Sequence, residues 1–236
     1  MIKKIILILI CSLPVMVRAQ KQSVKLDGFK TLDVFGPFDV ELIYSDNNRV
    51  ELDYNKGVDS NDVVAGVSGN TLKLKLRNRH YFNDWSSDSK RDGYIRVKVY
   101  YTDIDEVKAQ AGAVVKTSGL LKSKNLLIDC SLGAEVSLEV LAKNTYLKSS
   151  MGAVARLSGR TEYLEAKSSM GGIIKGRELQ SKSAYIKASM GSEVFVSVSD
   201  EIEVSAGLGA VVDYAGSPGV RSTSTVFGAS VRGREN

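Results

Sequence analysis

The sequence predicts an all-β protein, specifically a parallel β-helix (β-solenoid) with about 19–20 residues per coil. A short phrase centred on glycine recurs through the second half of the 236-residue chain, as Ser-Met-Gly in its most regular copies. The central glycines are Gly112, Gly133, Gly152, Gly171, Gly191, Gly209 and Gly228, so the steps between them are 21, 19, 19, 20, 18 and 19 residues. Apolar residues alternate with polar ones around each glycine, which indicates strands rather than helices.

The alternation predicts which side chains line the coil. Residues at odd offsets from each glycine are small or apolar, whereas those at even offsets are mixed. We therefore expect the odd positions inside, including a thick column directly before the glycines: Ala111, Leu132, Met151, Met170, Met190, Leu208 and Phe227. The glycines themselves are expected to turn a corner with positive φ. A looser set is expected at another corner: Gly119, Gly159, Gly176, Gly216 and Gly233.

A coil of this length has a perimeter of roughly 66 Å, and coils stacked about 4.8 Å apart would make the seven-glycine region a rod of roughly 29 Å. The strict six-residue repeat typical of left-handed coils is missing, and strand crossovers favour the right hand. The sequence therefore predicts a right-handed coil.

Residues 1–19 have the features of a secretory signal peptide. Lys3 and Lys4 precede an apolar run from Ile5 to Val17, and Ala19 provides a small residue at the cleavage point. The alternatives are a retained membrane helix, for which the run is short, and a lipid anchor on Cys11, where Ile10 stands in place of the small residue that a lipobox needs. We expect an exported protein, located in the periplasm, at the outer-membrane surface or outside the cell.

Cleavage would change the charge. The full chain has 32 basic and 27 acidic residues and a net charge of +5, but Lys3, Lys4 and Arg18 leave with the signal, so the mature chain has a net charge of +2. This balance gives no argument for nucleic-acid binding. Cys130 would be the one remaining cysteine, and its place in an inward column predicts a buried, unreactive thiol.

The chain before the repeats is also strand-rich. Six segments are β-branched or alternate in polarity, and turn-forming residues separate them: 32–34, 38–44, 50–54, 63–67, 71–76 and 94–101. A separate small sandwich would fit such strands. We favour one domain over 20–236, with irregular strands at 27–108 and regular repeats at 109–233.

Three phrases in this region carry a resemblance to a known family: residues 28–34 (GFKTLDV), 36–42 (GPFDVEL) and 69–74 (GNTLKL), followed by the Gly/Ala/Ser-rich repeats. Together they resemble the head GIN domain family of putative autotransporter adhesins, which are secreted or envelope proteins common in Bacteroidetes. The likeness extends over about residues 28–230. It implies a fold and an exported location, and the family name implies adhesion, but it implies no catalytic or binding residues.

No pattern in the sequence predicts catalysis. His80 is the one histidine and lies in a polar segment without a triad partner, and no His/Cys cluster has metal-ligand spacing. Glu135 and Glu193 share a column but stand three coils apart, about 14 Å, which is too far for paired acid/base work. We predict no cofactor and no enzyme, with a polysaccharide-active β-helix enzyme as an alternative.

The outer face offers one candidate binding strip. Lys148, Lys167 and Lys187 are expected to stack on adjacent coils, with Tyr146 and Tyr185 two residues away on the same face. Such a strip could bind acidic glycans or lipopolysaccharide. The alternative is a solvated face whose lysines discourage sheet aggregation.

A second candidate is the polar and aromatic segment 77–93. Tyr81, Phe82 and Trp85 could stack on a sugar or a partner protein. The alternative is an insertion whose aromatic residues cover the side of the coil.

The sequence therefore predicts an exported binding or adhesion module whose partner is a glycan or another envelope protein. The alternative is a scaffold, a homo-oligomer that assembles through the solenoid ends, since such ends expose strand edges unless capped. Residues 232–236 are expected to act as a polar C-terminal cap.

Overall fold

A computed structural model describes residues 20–54, 60–77 and 95–234 of the chain. These residues form sixteen strands and a single 3-10 turn, Ser60–Asp62. The strands are β1 Gln20–Lys25, β2 Thr31–Phe35, β3 Phe38–Tyr44, β4 Arg49–Tyr54, β5 Val63–Ser68, β6 Thr71–Leu76, β7 Ile95–Tyr101, β8 Glu106–Gln110, β9 Val114–Ser131, β10 Glu135–Ser150, β11 Val154–Ser169, β12 Ile173–Ala188, β13 Glu193–Ala206, β14 Val211–Ala215, β15 Val220–Thr225 and β16 Ser230–Arg234. The predicted all-β fold class is confirmed.

The strands from β8 onward stack in parallel as successive coils of a β-solenoid, β8 to β13 each pairing with the next. The register follows the glycine steps: Glu135 pairs with Val154, Val154 with Ile173, and Ile173 with Glu193. A residue's offset from its glycine therefore fixes its column in the stack. This is the predicted solenoid, with coils of the predicted length.

The strands before the repeats join the same sheet. β2 pairs in parallel with β6 and β8, and β3 pairs in parallel with β7 and β9. The pairs β1–β4, β4–β7 and β5–β6 are antiparallel, which is the predicted irregularity. The six strands expected here occur within one residue of their predicted bounds. The division into domains and the hand of the coil stay predictions.

Four of the predicted inward columns form the core of the regular coils. Residues five and three before each glycine from Gly112 to Gly209, and one and three after it, are buried. In the coil around Gly152, for example, these are Leu147, Ser149, Ala153 and Ala155, each at most 1% exposed. Alternating large and small side chains in adjacent columns give the close packing that protein interiors require.

The prediction that the large residues directly before the glycines are buried is wrong. Leu132, Met151, Met170, Met190 and Leu208 are 44–52% exposed, and Phe227 is 80% exposed. The reason is a turn at which two successive residues have positive φ: 48–56° at the column residue and 66–77° at the glycine. Both residues point outward, so the column lies on an outer corner of the solenoid.

The corner is a repeated type I′ turn. Two successive positive φ values define this turn type. In each copy, the residue after the glycine donates its backbone N–H to the carbonyl of the residue two positions before the glycine, at 3.0–3.4 Å. The glycine N–H donates to the column residue of the next coil, as from Gly152 to Met170 at 3.2 Å. The turn takes up two residues, an even number. The alternation of inward and outward side chains therefore continues in the same phase after the turn, and the columns on both sides of it stay buried.

The prediction of a second set of corner glycines is correct in part. Gly119, Gly159 and Gly216 have φ of 104–120°, as expected for glycines at a corner, whereas Gly176 and Gly233 do not have positive φ. At Gly159 a Cβ would stand 2.1 Å from the Val140 carbonyl oxygen, so a side chain has no room there.

The last described residues extend the solenoid rather than fold across it. Residues 232–234, three of the five residues of the predicted cap, lie in β16, which pairs in parallel with β14. Arg234 also reaches back to Asp213 at 2.9 Å. Within the described part of the chain, β15 pairs with β13 and with no further strand, so its outer edge is open.

Candidate functional site

One flat face of the solenoid carries the predicted lysine strip. Lys148, Lys167 and Lys187 are paired directly across β10, β11 and β12, so their side chains project from adjacent coils about 4.8 Å apart. Tyr146, Glu165 and Tyr185 form the parallel column two residues earlier in the sequence. The two columns form the surface that we call the basic strip. The structure thus places these five predicted residues together, and their role in binding stays a prediction.

The three lysines of the basic strip differ in their surroundings. Lys167 is ion-paired with Glu165 two residues away on the same strand, and this hydrogen-bonded carboxylate raises the pKa of Lys167. Lys148 and Lys187 are exposed, and no carboxylate among the described residues pairs with them. The strip therefore has a neutralised pair in its centre and a free cation on either side, an arrangement that fits two separated negative charges or one extended acidic chain.

The aromatic part of the strip is larger than the sequence predicted. Tyr163 lies beside Tyr146 with a ring-centroid distance of 6.3 Å and an interplanar angle of 63°, an edge-to-face contact. Burial, together with the charge of Glu165, raises the pKa of the Tyr163 phenol. Its even offset from Gly171 could have shown that Tyr163 faces outward. Asn125 and Asn144, joined at 2.7 Å, continue its column.

The opposite side of the corner carries a groove that sequence reasoning missed. It has a volume of about 560 Å³ and is lined among others by Arg156, Lys175, Arg177 and Phe195. Arg177 pairs with the buried carboxylate of Asp213 at 2.9 Å and lies 5.1 Å from the centre of the Phe195 ring. Its guanidinium is therefore already occupied. Pairing between Arg177 and Asp213, which stand two coils apart, could not be deduced from spacing alone.

The predicted carboxylate column occurs as expected but has no catalytic geometry. Glu135 and Glu193 are three coils apart in one column, and Glu135 is ion-paired with Arg156 at 2.9 Å. Within residues 20–54, 60–77 and 95–234, no group of three or more His, Cys, Asp or Glu side chains could hold a metal ion. No helix in those same residues is long and apolar enough to cross a membrane.

Cys130 is buried, as predicted. Burial raises the pKa of its thiol to about 12, so the nucleophilic thiolate is scarce at neutral pH. The thiol donates to the carbonyl of Ala134 across the type I′ turn, at 3.3 Å, just as Ser149 and Ser168 do to the equivalent carbonyls at 2.9 Å. Its role is therefore structural.

Other predicted features lie outside the described residues. These are the signal peptide at 1–19 with Cys11, and the segment holding His80, Tyr81, Phe82 and Trp85. Nothing in the geometry bears on them.

Known proteins share this architecture. A putative adhesin from Bacteroides fragilis NCTC 9343 is similar with a TM-score of 0.81 and 14% sequence identity, over 92% of this chain and 98% of that one. A putative adhesin from Parabacteroides merdae ATCC 43184 has a TM-score of 0.70 and 13% identity over 93% and 97% of the two chains. A putative lipid binding protein from Parabacteroides distasonis ATCC 8503 has a TM-score of 0.67 and 16% identity over 93% and 98%. At these identities the likeness shows a common fold.

No curated protein matches the sequence. The profile of one family does, and it spans residues 28–218, which is most of the chain. Its match includes the three phrases near the N-terminus and nearly all of the glycine repeats. The chain therefore belongs to the head GIN domain family of putative auto-transporter adhesins.

Proposed function

We propose that this protein is an exported binding or adhesion module of the cell envelope and that the basic strip binds acidic glycans. The observation that carries the proposal is the register of the sheet, which turns single lysines and tyrosines on successive coils into one continuous surface. The family's description as adhesins and the signal peptide predicted at residues 1–19 support an exported location.

The strip suits a repeating, negatively charged polymer. Lys148 and Lys187 stand two coils apart, about 10 Å, which is comparable to a disaccharide repeat. The Tyr146, Tyr163 and Tyr185 side chains beside them are half-buried and so held by the sheet, which lowers the entropy lost when a ring stacks on a sugar. The strip is exposed along successive coils and carries only a shallow depression of about 80 Å³, which favours a weak contact repeated along a polymer over a single tight site.

The test compares glycan binding by the wild-type protein and two variants. The strip variant is K148Q/K167Q/K187Q, and the matched control is K122Q/K124Q/K143Q, which removes the same charge from exposed lysines elsewhere. On an array of acidic and neutral glycans, we expect the strip variant to bind acidic glycans at least about tenfold more weakly, since each charged hydrogen bond contributes about 1.5–3 kcal/mol. The control should keep wild-type binding.

Equal binding by the strip variant and the wild type, or no acidic glycan bound by the wild type, would contradict the proposal. Analysis of the bound glycans for cleavage products separates this function from the alternative of a polysaccharide-active enzyme. Assembly through the solenoid ends also stays a prediction, and the open edge of β15 is the feature that favours it.

A further inference from the structure

A row of large apolar side chains stands exposed along the type I′ corner. We call it the corner ridge: Leu132, Met151, Met170, Met190, Leu208 and Phe227. About half or more of each of these side chains faces solvent. Val154 and Ile173, which are partly exposed, widen the apolar surface three residues after Met151 and Met170. Contiguous exposed apolar surface of this kind marks an interaction site more often than a solvated one.

The large side chains of the corner ridge are unfavourable in the backbone conformation that they adopt. The first central position of a type I′ turn has positive φ and favours Gly, Asn or Asp. A side chain such as Met in this conformation costs roughly 1–2 kcal/mol, and its exposure to water gives nothing back. A large apolar residue occupies this position of the turn in six successive coils, so the fold alone does not account for it.

The shape of the corner ridge excludes a standard protein interface. Six residues at about 4.8 Å spacing make a straight line of roughly 24 Å, one side chain wide on a convex edge. A surface roughly 10 Å wide would bury only about 240 Å² per partner, whereas a stable dimer needs about 800 Å². An extended planar surface, by contrast, can contact a single row of side chains along its length.

The charges around the corner ridge indicate what kind of plane it meets. Within four residues of Gly152 and Gly171 there is a basic residue on each side and no acidic one: Lys148 and Arg156, then Lys167 and Lys175. Glu135 offsets Arg156 and Glu165 offsets Lys167, so Lys148, Lys175 and Lys187 are left without a carboxylate partner among the described residues. Acidic residues lie beside the first and fourth residues of the row: Asp129 and Glu135 near Leu132, and Glu193 near Met190.

We propose that the corner ridge lies on the surface of an anionic phospholipid bilayer. The Met, Leu and Phe side chains enter the headgroup region, and Lys148, Lys175 and Lys187 meet lipid phosphates on either side. Apolar residues bracketed by lysines are the combination with which peripheral proteins bind such surfaces. The solenoid axis then lies parallel to the membrane, and the basic strip, which supplies Lys148 and Lys187, borders the contact.

The test uses vesicles of phosphatidylglycerol mixed with phosphatidylcholine, and vesicles of phosphatidylcholine alone. The ridge variant is M151N/M170N/M190N, in which Asn suits the positive φ and should preserve or raise stability. The control is L120T/L127T/L141T, which removes three leucines of similar exposure away from the corner and replaces them with a residue that favours strands. Thermal unfolding checks that both variants fold.

In a flotation assay, we expect the wild type and the control to bind anionic vesicles, and the ridge variant to bind at least about tenfold more weakly. Phosphatidylcholine vesicles should bind the wild type weakly, and added salt should reduce binding to anionic vesicles. Unchanged vesicle binding by the ridge variant, no binding by the wild type, or a ridge-dependent dimer in place of vesicle binding would overturn the proposal. Glycan binding measured without vesicles should be the same in the ridge variant as in the wild type, because the variant keeps every residue of the basic strip. Failure of this test and failure of the proposed glycan function can therefore be told apart.

Discussion

At the scale of single residues, positive backbone φ decides where the coil turns. The repeat glycines and the residues before them share the turn, but only the glycines carry no Cβ. A Cβ at the repeat glycines would meet no atom within 4 Å, so their requirement is conformational only. At Gly159 the requirement is also steric, because the neighbouring coil approaches too closely for any side chain.

Gly159→Ala should therefore destabilise the protein more than Gly152→Ala. The change at Gly152 adds the cost of positive φ, about 1–2 kcal/mol. At Gly159 the new methyl group would also overlap the Val140 carbonyl oxygen at 2.1 Å, and we expect a total loss of about 3–5 kcal/mol in the free energy of unfolding. Urea unfolding of both variants measures the difference. Equal losses would show that the coils separate more easily than their packing indicates.

At the scale of the repeated element, the type I′ turn is supported by hydrogen bonds across its base. Cys130, Ser149 and Ser168 occupy one inward column and each donates to the carbonyl just after its glycine. Each of these carbonyls also accepts a backbone N–H from the next coil, at 2.9–3.0 Å. The turn thus gives the buried hydroxyl or thiol an acceptor, and the small polar side chain adds a second hydrogen bond there. Cysteine serves this purpose in one coil, and its thiol must stay protonated.

Cys130→Ser should change how stability depends on pH at alkaline values. Burial raises the pKa of the Cys130 thiol to about 12 in the folded state, whereas an exposed thiol has a pKa of about 8.5. Between these values the unfolded chain releases a proton that the folded chain keeps, so stability falls as pH rises. Relative to Cys130→Ser, the wild type should lose about 1.4 kcal/mol per pH unit above about pH 9.

Chemical unfolding of both proteins from about pH 8 to about pH 10.5 measures this difference. Tyr101, whose pKa burial raises to about 12, contributes the same slope to both proteins and cancels in the comparison. Parallel pH profiles would mean that the Cys130 thiol ionises in the folded state.

The sequence could predict the strands and the repeat length, because alternation and spacing are local properties. It could not predict that the residues directly before the glycines belong to the turn and face outward. Seen as a pattern, the apolar residues before the glycines continue the alternation, and hydrophobicity alone places them inside. The observed φ values show that they belong to the turn, and glycine at the second central position was the only hint. Outward columns away from the turn, such as Lys148 and Tyr146, were predictable because the alternation there is unbroken.

At the scale of the whole molecule, function comes from stacking rather than from any one coil. The register aligns Lys148 with Lys167 and Lys187 on a face, and Met151 with Met170 and Met190 on a corner. Columns of one residue type could be predicted once the period was known. Contacts that join different columns could not, and the pairing of Asp213 with both Arg177 and Arg234 is an example.

Cysteine accessibility across three successive coils measures directly whether a residue's offset from its glycine decides if its side chain faces solvent or the core. In a chain with Cys11→Ser and Cys130→Ser, single cysteines replace either the corner residues Met151, Met170 and Met190 or the inward residues Ser149, Ser168 and Ala188. The rate of reaction with a maleimide is then measured in the native and unfolded states. Corner cysteines should react natively at close to the unfolded rate, and inward cysteines at least about a hundredfold more slowly. Protected corner cysteines, or inward cysteines that react freely in the native state, would contradict the account.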